Sequence, residues 1–101
     1  MKISFLPPAQ AELDEAYSWY AEQAVGLGFE FLDAFDQSVR LVASCPEMFE
    51  QVDGDIRRCL INRFPYGIIY GLDGDGIIVV AVAHVRRVPR YWSDRKVGLQ
   101  S

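Results

Sequence analysis

The sequence predicts an α+β domain: a two-helix hairpin packed on one face of an antiparallel sheet of about four strands, followed by a short C-terminal helical segment. Three observations predict it. Two stretches in the first half repeat apolar residues at steps of three and four, and Gly26-Leu27-Gly28 joins them. The second half holds runs of β-branched and aromatic residues separated by Asp-Gly turns. The chain has 101 residues, 50% of them hydrophobic and 13% aromatic, which suits one core in a single domain, 1–101, and excludes a disordered or low-complexity segment.

The elements follow in order. Lys2 to Leu6 alternate in character and end at Pro7-Pro8, as a short strand does. The first helix begins near Pro8, since a first turn has no use for the N–H that proline lacks. Glu12, Asp14 and Glu15 lie early in it, where the helix dipole favours negative charge, and read as a solvated face. Ala9, Leu13, Ala16, Tyr17 and Tyr20 form its apolar stripe, with Trp19 off it. The second helix runs from about Phe29 to Ser44 and stops at Pro46; its stripe is Phe31, Leu32, Phe35, Val39 and Val42. Strands are expected near Phe49–Val52, Ile56–Arg63, Tyr66–Leu72 and Ile77–Val85. Asp53-Gly54 and Phe64-Pro65 turn the chain between the first three. Asp73-Gly74-Asp75-Gly76 turns it again; it lacks the later ligands and bidentate Glu of a calcium loop. Pro89 to Lys96 has room for one or two helical turns.

A symmetric turn at Gly74-Asp75 pairs Leu72 with Ile77, Tyr70 with Val79, Ile68 with Ala81 and Tyr66 with Ala83. The face with Tyr66, Ile68, Tyr70 and Val79 then takes the helices. The opposite face carries Gly67, Ile69, Gly71, Val80, Val82, His84 and Arg86, apolar but thin. Either the tail with Tyr91 and Trp92 covers it or another protein does.

Charge is unevenly divided. Residues 1–55 carry eleven acids against two bases, a net −9; residues 56–101 carry three acids against eight bases, a net +5. The acidic balance, −4 overall, argues against general nucleic-acid binding but leaves a local basic face. No apolar run reaches the roughly 20 residues of a membrane helix, and the start lacks the basic region of a signal peptide. Cys45 and Cys59 fit neither a disulfide scaffold nor a zinc pattern and read as small buried hydrophobes in a cytosolic, reduced protein. No cofactor or metal is expected.

Three stretches carry a family likeness. Tyr17-Ser18-Trp19-Tyr20 with Gly26-Leu27-Gly28 and Phe31-Leu32 form the first. Ile56-Arg57-Arg58 with Phe64-Pro65-Tyr66 and Ile69-Tyr70 form the second. Ala83-His84-Val85-Arg86-Arg87-Val88-Pro89-Arg90-Tyr91-Trp92, with Arg95 after it, forms the third. In this order the chain resembles the RelE/ParE superfamily of type II toxin–antitoxin toxins. The resemblance implies a cytoplasmic plasmid-stabilisation or chromosomal toxin that inhibits growth, held in a hetero-oligomer by a cognate antitoxin. It implies one of two activities: ParE-like poisoning of DNA gyrase, or RelE-like cleavage of mRNA in the ribosome. A relic that only binds its antitoxin is the third reading.

RNases of the superfamily often carry an arginine where Gly67 stands and a tyrosine where Trp92 stands. Indole cannot take up a proton as a base, so the comparison favours the non-nuclease side. If the chain were an RNase, Arg58, His84 and Arg86 would be its catalytic candidates. His84, the lone histidine, is read as a local hydrogen-bonding support for the tail. Ile69, Val80, Val82, Arg86, Arg87, Arg90, Tyr91, Trp92 and Arg95 are the expected target or antitoxin contacts; the alternative is that some arginines pair with the acidic helices and that Trp92 plugs the core. Arg57 and Arg58 point to opposite sheet faces.

Overall fold

In the computed structural model, which describes residues 2–95, the chain runs β1 (Ile3–Phe5), α1 (Pro7–Gln23), α2 (Leu27–Ser44), β2 (Glu50–Asp53), β3 (Ile56–Leu60), β4 (Tyr66–Asp73) and β5 (Gly76–His84). The expected class holds: a helix hairpin lies on one sheet face. The sheet has five strands rather than about four, in the order β1-β5-β4-β3-β2, and it is mixed. β1 joins it parallel to β5, pairing Ile3 with Ile77 and Phe5 with Val79. The other three pairings are antiparallel.

Pro7 and Pro8 occupy the first turn of α1. No acid sits in that turn, so the helix dipole does not account for Glu12. Gly26, at φ +82°, makes the left-handed turn that starts α2 at Leu27, two residues before the expected start. Gly28 then meets α1: a Cβ there would lie 2.9 Å from Tyr17 Cε1 and 3.0 Å from Ala21 Cβ. Only a bare backbone lets the two helices close this tightly.

The core between helices and sheet contains Tyr20, Phe31, Phe35, Val42, Ile68, Tyr70, Val79 and Val82. Tyr17, Leu32 and Val39 pack at its margin. Tyr20, Phe31 and Phe64 meet as a ring cluster with centroids 4.9–5.3 Å apart. The buried Tyr70 hydroxyl donates to Pro46 O at 2.6 Å, and burial pushes its titration up to about 12. Cys59 is buried as expected, whereas Cys45 is exposed.

The β4–β5 register departs from a simple hairpin. Leu72 pairs with Ile77 and Tyr70 with Val79, but Ile69 then pairs with Ala81, Ile68 with Val82 and Tyr66 with His84. Val80 is the extra residue of a bulge. A bulge resets the two-residue alternation of its strand. Val80 and Ala81 therefore both face away from the helices, packed with Ile56, Ile69 and Trp92. Val82, expected on that face, is buried in the helix-side core instead. His84 follows it: its ring meets Tyr66 edge-on at 5.1 Å.

Candidate functional site

Beyond β5 the chain turns back across the second sheet face. Val85 N–H donates to Pro65 O, Arg87 N–H to His84 O, and Arg90 adopts φ +63°. The described residues end in a 3₁₀ turn over residues 93–95, and Lys96 lies outside them. This path lays Trp92, 4% exposed, on Ile56, Ile69, Val80 and Ala81. Of the two ways to cover the thin face, the chain's own tail is the one found.

A clamp holds the tail in place. β1 pairs with residues 77–79 of β5, so among the described residues the edge of β5 past that point has no strand beside it. Side chains take over. Val82 N–H donates to Glu12 Oε1 at 3.0 Å. Arg95 grips the same carboxylate with both terminal nitrogens, at 2.9 and 3.1 Å, and donates from Nη1 to Val80 O at 3.2 Å. Tyr91 O–H donates to Glu12 Oε2 at 2.8 Å. Burial pushes the Glu12 carboxyl up, but hydrogen bonds from Arg95, Tyr91 and Val82 outweigh it and hold the carboxyl below its ordinary value. Burial, with Glu12 as hydrogen-bond partner, raises the Tyr91 phenol. Glu12 is therefore a structural anchor and not part of a solvated face. Its position three residues after Ala9 and four before Ala16 places it beside the buried stripe, which is the sequence signal for this role.

The arginines divide by task. Arg95 belongs to the clamp. Arg90 pairs with Asp53 at 3.3 Å and ties the tail to the β2–β3 turn. The Arg87 guanidinium lies over the Tyr91 ring, 3.9 Å from its centroid. Among the described residues the Arg86 guanidinium has no partner; its backbone N–H donates to His84 Nδ1 at 3.1 Å. That bond leaves the neutral imidazole its proton on Nε2. Arg58 pairs with Glu50 at 2.7 Å, and its stem roofs Gly67: a Cβ on that glycine would meet Arg58 Cγ at 3.2 Å. Arg57 points to the other face, as expected, and donates to Glu47 O and Phe49 O.

The contact residues expected on the second face need correction. Ile69 and Val80 are buried beneath Trp92, and Val82 is buried beneath the helices, because the bulge and the tail close both faces internally. Trp92 is a core residue. What stays open is a groove of about 370 Å³ between the tail and β2–β4, bordered by Glu50, Arg58, Gly67, Val88 and Arg90. A second cleft of about 460 Å³ opens between α1 and the far end of β5, bordered by Glu15, Trp19, Tyr20, Tyr66, His84 and Arg87.

Residues 3–89 match the family model of the ParE toxin of the type II toxin–antitoxin system, parDE. The chain belongs to this family. Among solved structures, a chain of the chromosomal ParDE TA system from P. aeruginosa has the same fold: TM-score 0.60, 19% identity, covering 83% of this chain and 95% of that one. No curated protein matches in sequence. The ParE family match stops at Pro89, before the core residue Trp92 and before Tyr91 and Arg95 of the clamp. No described helix is long and apolar enough to cross a membrane.

Proposed function

We propose that this ParE-family chain arrests growth by binding a protein target, with DNA gyrase the first candidate, and that a cognate antitoxin silences it in a hetero-oligomer. The setting is the cytoplasm and the gene pair is a stabilisation module. The observation that carries the non-nuclease reading is the fate of Trp92. An RNase of the superfamily needs a proton-handling group at the tail; here that position is an indole sunk into the sheet. Two further observations agree with it. Gly67 offers no cation, and the Arg58 beside it is already paired with Glu50.

The test expresses the chain in growing cells with and without its antitoxin. Plasmid supercoiling and full-length message are followed together. Arrest with relaxed or broken DNA and intact message is expected, reversed by the antitoxin. Codon-specific cuts in message would overturn the reading in favour of a ribosome-dependent endonuclease. No arrest at all would leave a relic that binds only its antitoxin.

A further inference from the structure

The cleft between α1 and the end of β5 shares Glu12 and Val82 with the clamp, and its wall is built from four aromatic rings in series. Trp19 meets Tyr20 at 5.0 Å and 87°, Tyr20 meets Tyr66 at 6.2 Å and 69°, and Tyr66 meets His84 at 5.1 Å and 78°. Each ring stands nearly upright on the next, so the wall offers ring faces as well as edges. An aromatic face carries the negative end of the ring quadrupole. Trp19, the best ring of the set for a cation, is 55% exposed at the rim.

The polar groups of the cleft point the same way. Glu15 borders it and has no ion-pair partner among the described residues. Its charge reaches Tyr66, whose phenol is raised first by burial and then by Glu15. The hydroxyls of Tyr20 and Tyr66 have no hydrogen-bond partner among the described residues. Phenol oxygens so placed can accept from an N–H donor. Two further charges border the cleft: the Glu12 carboxylate, paired with Arg95, and the Arg87 guanidinium, which lies over the ring of Tyr91 and keeps its positive charge. The surrounding helix adds Asp14 and Glu22 and contains no basic residue.

We propose that this cleft is a cation-binding site that receives an arginine or lysine side chain from a basic segment of a protein partner. The stem of that side chain would lie along Tyr20 and Tyr66, with its charged head between the Trp19 face and the Glu15 carboxylate. The site rests on the reading that the chain works by binding proteins, and it adds the chemistry of the anchor.

A test that needs neither growth arrest nor an identified partner separates the two claims. The folded full chain is titrated with N-acetyl-arginine methylamide at pH 8, and the indole N–H resonance of Trp19 is followed by NMR. The citrulline analogue, equal in shape and uncharged, is the control. A saturable shift of the Trp19 resonance is expected with the arginine compound. The citrulline compound should bind about three- to tenfold more weakly, the scale of one cation–aromatic contact. Glu15→Gln, a change on an exposed helix position, should weaken the arginine compound by a similar factor and leave the citrulline compound unchanged. Equal binding of the two compounds, indifference to Glu15→Gln, or shifts that bypass Trp19 would each overturn the site and leave the proposed toxin activity as it stands.

Discussion

Removal of the Glu12 carboxylate should loosen the tail and destabilise the whole domain. The side chain is only 14% exposed and its partner Arg95 20%. Glu12→Ala strands three donors at once: the Arg95 guanidinium, the Tyr91 hydroxyl and the Val82 N–H. One partner taken from a well-buried ion pair costs about 3–5 kcal/mol, and a hydrogen bond to a charged group is worth about 1.5–3 kcal/mol. Solvent reaches part of this clamp, so a loss of about 2–3 kcal/mol is expected, which lowers Tm by about 10–20 °C in a domain of this size. Circular-dichroism melts and urea titrations measure it. A double-mutant cycle with Arg95→Ala should return a coupling above about 1 kcal/mol. The acid limb of stability gives an independent reading. Because the folded carboxyl sits below its ordinary 4.5, the clamp's contribution is complete above that pH and fades as pH falls through the folded value. Glu12→Gln should flatten that decline. A loss no larger than ~0.5 kcal/mol, the scale of an ordinary surface change, with no coupling to Arg95, would refute the clamp.

Three further outcomes are expected. Trp92→Ala should cost about 3–5 kcal/mol, as for a large aromatic lost from a core, so its melting temperature should fall together with any loss of growth arrest; arrest lost at an unchanged Tm would return Trp92 to the surface. Gly67→Arg should destabilise by about 1–3 kcal/mol through crowding of the Arg58 stem and should create no codon-specific mRNA cleavage; cleavage seen on ribosomes would reverse the second half. Arg86→Ala, Arg87→Ala and Arg90→Ala combined should abolish arrest while the fold survives, since these side chains are exposed; arrest that persists in cells would place the toxic surface elsewhere.

The sequence by itself determined the elements and the class. Apolar steps of three and four put Tyr20, Phe31, Phe35 and Val42 on the buried sides of two helices, and Asp-Gly turns set the hairpins, because these signals act within a few residues of chain. It also placed Arg57 and Arg58 on opposite faces, since alternation within a regular strand is local. Only the tertiary structure decided what the second face does. The bulge at Val80 depends on how β5 meets the bulky contents of both faces at once, and no residue near Gly74-Asp75 announces it; one extra residue was enough to move Val82 and His84 to the helix side. β1 lies beside β5 although more than seventy residues separate the paired positions in the chain, so its parallel pairing had no local signal. Glu12 and Arg95 stand 83 residues apart. Read with its neighbours, Glu12 looks like a solvated charge and Arg95 like part of a basic contact cluster, and only the return of the tail across the sheet decides that they form the pair that closes the strand edge.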